Sequence, residues 1–129
     1  MKLDLTVLPG RWAVCRLAPD AAIPEWAEGG TFASITRTAA ELSILCPENA
    51  VPADVRHQGG WRLIRFAGTF AFDQTGVLAS VTGPLAAAEV GILAVATFDT
   101  DYLFVSQENL PRALDTLREA GHRVEGEGI

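Results

Sequence analysis

The chain has 129 residues, 49% hydrophobic and 20% charged, and ten basic against sixteen acidic side chains leave a net charge of −6. That length holds one compact unit or two small ones packed together, and the composition is far from that of disordered or collagenous chains. The acid excess disfavours a nucleic-acid partner, whose phosphates need a basic face, and an anionic membrane surface. Apolar runs break well before the roughly 20 residues of a spanning helix. The opening MKLDLTVLPGR lacks the charged-then-apolar pattern of a secretory signal, so a cytoplasmic location is expected.

In chain order, residues 2–8 alternate Leu3, Leu5 and Val7 with polar neighbours and read as a strand, closed by Pro9-Gly10. Further strands are expected at 11–17, 31–36, 41–46, 61–66, 92–98, 102–106 and 122–124. Residues 75–88 read as a helix, with Val77, Leu78, Val81 and Leu85 on one stripe and Pro84 expected to bend or interrupt it. Residues 107–120 read as a second helix through Leu110, Leu114 and Leu117, with Glu108 in its first turn, Arg118 in its last and Gly121 as its stop.

The chain also resembles itself. At a shift of 61, Gly30, Ala33, Thr36 and Leu42 fall on Gly91, Ala94, Thr97 and Leu103, and Gly60-Trp61-Arg62 on Gly121-His122-Arg123. At a shift of 60, Glu48-Asn49 falls on Glu108-Asn109, and at 49, residues 12–17 fall on 61–66. The twelve-residue difference between the first and last shifts is about one helix, missing between the first strand and Gly30. The second half thus reads strand–helix–strand–strand–helix–strand. The first half reads as a worn copy whose first helix has shrunk to a turn around Pro24-Glu25-Trp26.

Cys15 and Cys46 lie in apolar alternating runs and read as buried reduced thiols; neither has His57 or His122 at metal-ligand spacing. Of Trp12, Trp26 and Trp61, two are expected in the core, while Trp26 fits either the core or a subunit contact.

A candidate site starts where the strand at 61–66 leads through residues 68–74 into the helix at Thr75-Gly76. The first turn of a helix holds backbone N–H groups without intrahelical partners and the positive end of the dipole, which suits a carboxylate. Gly76 allows close approach to the backbone, and Asp73 could pair with an ammonium group. The competing reading makes Asp73 or Thr75 an N-cap. A second candidate is TFDTDY, in which Thr97, Phe98, Asp99 and Asp101 end a strand and enter a hairpin; Asp and Thr also form plain solvated turns. A metal at Asp99 and Asp101 would need more oxygen ligands than are visible.

The stretches ITRTAAELSILCPENAVP and TFDTDYLFV, and the whole segment from 72 to 122, resemble ACT-domain proteins. The similarity extends to stand-alone bacterial members and to cytosolic arginine sensors, and covers roughly residues 8–122. It implies an α+β fold of two ferredoxin-like βαββαβ modules, the first degenerate with a truncated first helix. The antiparallel sheet would carry its helices on one face, with modules over 1–60 and 61–129. It implies a regulatory protein that binds an amino acid and pairs as a homodimer, with no catalysis, metal or cofactor of its own; the output would lie in a partner enzyme. The ligand residues it implies are Asp73, Gln74, Thr75, Gly76, Val77 and Leu78, with Thr97, Phe98 and Asp101, and Ser34 and Thr36 from the first module as the opposite wall. The sensors carry an acid at the Gln74 position, so the neutral amide disfavours a cationic ligand side chain. Two other readings remain open: a ligand-free dimerisation or adaptor module, and a small enzyme. No phosphate loop, HExxH pair or nucleophile beside a base supports the enzyme.

Overall fold

The computed structural model describes residues 1–68, 70 and 74–126. The chain divides into two units, Gly10–Trp61 and Met1–Pro9 together with the chain from Arg62 onward.

In the second of these, β1 (Asp4–Val7) is joined by the end of β5 (His57–Phe66), α1 (Val77–Ala87), β6 (Leu93–Ala96), β7 (Asp101–Ser106), α2 (Leu110–Glu119) and β8 (Arg123–Gly126). The strand–helix–strand–strand–helix–strand order expected of the second half is present. Its sheet runs β6-β7-β5-β1-β8. The N-terminal strand therefore lies inside this sheet, antiparallel to β5 (Leu5 opposite Phe66, Val7 opposite Ile64) and parallel to β8 (Leu5 beside Val124). Residues 1–9, expected in the N-terminal module, thus belong structurally to the C-terminal one. The reason is pairing across the fold: Leu5 and Val7, each 1% exposed, fill the same core as Ile64 and Phe66.

That core is closed by the two helices. Val77, Val81 and Leu85 recur every four residues along α1, and Leu110, Leu114 and Leu117 form the buried stripe of α2. Pro84 does not end α1, which continues to Ala87. Gly121, at φ +98, ends α2 as expected, where its N–H donates to the Arg118 carbonyl at 2.9 Å and the His122 N–H to Leu117 at 3.1 Å. Glu108 precedes the helix, whose first turn holds no acid.

The unit Gly10–Trp61 contains β2 (Trp12–Leu17), β3 (Ser34–Arg37), β4 (Leu42–Pro47) and the beginning of β5, in the order β3-β4-β2-β5. Both helices of this half have gone. The first is a 3-10 turn, Glu25–Ala27, as the sequence suggests; the second is another, Glu48–Ala50, although Glu48-Asn49 matches Glu108-Asn109. One face of the sheet buries Ala13, Cys15, Leu42, Ile44 and Cys46, with Trp26 packed against them. Trp12 is buried too, its Nε1–H donating to the Phe32 carbonyl at 3.0 Å.

The internal repeat shows in the hydrogen bonds of two hairpins, in a different register from the shift of 61. In the first, the Thr38 N–H donates to the Glu41 carbonyl at 2.9 Å and the Glu41 N–H to Thr38 Oγ1 at 3.1 Å. In the second, Thr97 and Thr100 make the same bonds at 2.9 and 3.3 Å. Thr38, not Thr36, is the counterpart of Thr97, so Ser34, Ile35 and Thr36 correspond to Leu93, Ala94 and Val95. Two residues separate the two registers.

Candidate functional site

The cleft of interest is built entirely within the C-terminal unit. It has a volume of about 200 Å³ and is lined by Phe70, Gln74, Val77, Ala96, Thr97, Phe98, Asp99, Thr100 and Asp101. Its wall is the β6–β7 hairpin, which is braced three ways. The Thr97 hydroxyl donates to the Thr100 carbonyl at 2.8 Å, inside the turn. The Thr100 hydroxyl donates to the Phe66 carbonyl at 2.9 Å, which ties the turn to the end of β5. The Phe70 N–H donates to the Asp99 carbonyl at 3.1 Å, which ties the strand-to-helix loop to the hairpin. A wall held by three elements loses little entropy when a ligand settles against it.

The opposite side is the start of α1. Gly76 is the N-cap residue at φ +80, a left-handed conformation that side-chain-bearing residues adopt at a cost. Among the described residues, no side chain caps this helix. Thr75 is exposed and does not cap it, so the capping alternative fails for Thr75. The first intrahelical bond is donated by Ser80 to the Gly76 carbonyl at 3.0 Å, and the first-turn N–H groups have no helical acceptor. Val77, 5% exposed, joins the cleft lining to the core beneath.

Of the residues singled out in the sequence, Gln74, Val77, Thr97, Phe98 and Asp101 meet at this cleft. Gly76 shapes the helix start beside it, while Leu78 turns into the core. Ser34 and Thr36 lie on β3 in the other unit and do not line it. Asp73 lies outside the described residues. Asp99, of the TFDTDY candidate, lines the cleft too, and Phe70, Ala96 and Thr100 complete the lining without a sequence expectation; an aromatic in a Gly-flanked loop is the available signal for Phe70.

The thiols are chemically quiet. Cys15 and Cys46 are free and buried. Burial, reinforced by the neighbouring Cys46, pushes the Cys15 thiol from its ordinary 9.0 up to about 12; burial also raises that of Cys46. Cys15 stands opposite His57 across β2 and β5, a juxtaposition the sequence did not reveal. At that pKa the sulfur stays protonated and a poor nucleophile at neutral pH. Among the described residues, no three His, Cys, Asp or Glu side chains gather to hold a metal ion, and no helix is long and apolar enough to cross a membrane.

An ACT-domain family model matches residues 56–119, and a family model of an N-terminal domain matches residues 10–54. A solved structure from Agrobacterium tumefaciens is 44% identical, with a TM-score of 0.94, over 100% of this chain and 96% of its own. The human cytosolic arginine sensor for mTORC1 subunit 1 is 32% identical over 59 residues, which span 45% of this chain and 18% of the sensor. The regulatory subunit of aspartate kinase from Thermus thermophilus shares the fold, at a TM-score of 0.58 and 12% identity over 92% of this chain and 94% of that one. With its strand and helix order and these matches, the chain belongs to the ACT-domain family.

Proposed function

We propose that the protein binds a free amino acid in the cleft between the start of α1 and the β6–β7 hairpin and acts as a regulatory module without catalysis. The observation that carries this reading is that the start of α1, which no described side chain caps, and two carboxylates, Asp99 and Asp101, border one small cleft. A helix N-terminus receives a carboxylate, and an aspartate receives an ammonium group in a charge-assisted hydrogen bond. A zwitterion presents both within a few ångströms. Gln74 and the backbone at Gly76 act from the loop and helix start, Thr97 and Phe98 from the hairpin, while Leu78 supports the site from the core. The described lining side chains bear two negative charges and no positive one, which disfavours aspartate or glutamate as the ligand.

The similarity to an arginine sensor and to an aspartate kinase regulatory subunit supports amino-acid sensing in the cytoplasm, with the output delivered through a homodimer or a partner enzyme. The competing reading is a ligand-free adaptor. Thermal denaturation in the presence of each of the twenty amino acids separates the two. A ligand at 100 times its Kd stabilises by about 2.7 kcal/mol, a shift of several degrees for a domain of this size. No shift with any of them supports the adaptor.

A further inference from the structure

The N-terminal unit carries a second cleft, of about 330 Å³, whose lining includes Arg16, Glu41, Ser43, Arg56, His57 and Gln58. Strand register explains how these polar groups meet. Ile35, Ile44 and Cys15 pack toward the core of this unit, so their neighbours Thr36, Ser43 and Arg16 share the other face. Thr36 stands opposite Ser43, and Ser43 opposite Arg16. The Arg16 N–H donates to the Arg56 carbonyl at 3.0 Å, which extends the row to a fourth residue. Two hydroxyls and two guanidiniums thus run across the sheet in line, with Gln58 opposite Val14 in the adjoining row.

Like charges on adjacent strands repel. Here that repulsion is left standing in a chain with sixteen acids available to relieve it. Among the described residues neither arginine forms an ion pair, although Glu41 borders the same cleft. One Nη of Arg16 donates to the Ala40 carbonyl at 3.0 Å, which orients that guanidinium through the backbone and leaves its other donors available. His57 uses Nδ1–H on the Val55 carbonyl at 2.6 Å, which directs Nε2 away from that bond.

We infer that this cleft is a binding site for a small oxyanion, either a phosphate group or a dicarboxylate, held by the forks of Arg16 and Arg56 with Ser43 and Gln58 as further donors. Guanidinium forks match the paired oxygens of both groups, and Glu41 at the rim selects against larger polyanions. This site is independent of the amino-acid cleft.

The test is an amide NMR titration of the full chain with inorganic phosphate in one arm and succinate in the other, at ionic strength held constant with sodium chloride. Saturable shifts at residues 14–16, 41–43 and 56–58 are expected in at least one arm, and the arm that saturates at lower concentration identifies the anion. Arg56→Gln, whose guanidinium makes no hydrogen bond or ion pair among the described residues, should weaken binding at least 10-fold with the remaining spectrum unchanged. Arg16→Gln should do the same, and Arg56→Lys should recover only part of the affinity. Shifts that never saturate in either arm, saturable shifts confined to other residues, or unchanged affinity in Arg56→Gln would each overturn the inference.

Discussion

The imidazole of His122 donates from Nε2 to the Ser80 carbonyl at 2.9 Å, the acceptor that Pro84, four residues on and without an N–H, leaves without its helical donor. Its Nδ1 accepts the Leu3 N–H at 3.1 Å, so one neutral, 4% exposed ring mends α1 and anchors the N-terminal segment. This explains why a helix with an internal proline runs to Ala87.

His122→Ala strands a partly buried carbonyl and a partly buried N–H, and should cost about 2–4 kcal/mol in urea denaturation. Pro84→Ala restores a helical donor to Ser80. The double variant should therefore lose less than the summed single effects, by at least about 0.5 kcal/mol. Strict additivity would mean that the histidine does not serve that carbonyl.

The inserted strand makes the first residues essential to the C-terminal unit. Leu5→Ala should destabilise by about 2–5 kcal/mol, as for a fully buried leucine. Removing residues 1–9 should abolish cooperative unfolding of that unit, because β5 and β8 then lose their shared partner. Retention of a sharp transition after the truncation would show that the strand is dispensable.

Most elements were legible because each carries its own local pattern. Strands β2, β4 and β7 are short apolar runs bounded by polar or turn residues, and the α1 stripe repeats every four residues, so the sequence places them within one or two positions. Features set by distant partners were not legible. The start of β5 at His57 is hidden in His57-Gln58-Gly59-Gly60, which has no strand character. Nothing local to residues 4–7 indicates that they enter between β5 and β8, and the Glu48-Asn49 match concealed the loss of a helix. At the site, Gln74 and the hairpin could be read from the sequence. Phe70 was not, since its place depends on the bond from its N–H to Asp99.

The raised thiols give stability a defined dependence on pH. In the unfolded chain Cys15 loses its proton near its ordinary 9.0, whereas in the fold it does so only near 12. The folded state therefore holds more protons in that window. This contribution is intact below about pH 9 and is lost as pH rises toward 12, at up to about 1.4 kcal/mol per pH unit for this thiol. Cys15→Ser should flatten the decline in urea-denaturation stability between pH 9 and 10.5. An unchanged slope would contradict the assignment.

Phe98 is 78% exposed yet borders the cleft. Phe98→Ala should alter unfolding stability by less than about 0.5 kcal/mol while weakening the amino acid that stabilises the protein, measured by calorimetry. Equal affinity in the two proteins would remove the ring from the site.

Amide NMR mapping of the bound protein tests most directly where the amino acid sits. With the amino acid that raises the melting temperature, the largest shifts should fall on Phe70, Gln74, Val77 and residues 97–101, and Asp101→Ala should abolish them without lowering the melting temperature of the free protein. Saturable shifts centred elsewhere, or shifts that survive Asp101→Ala, would contradict it.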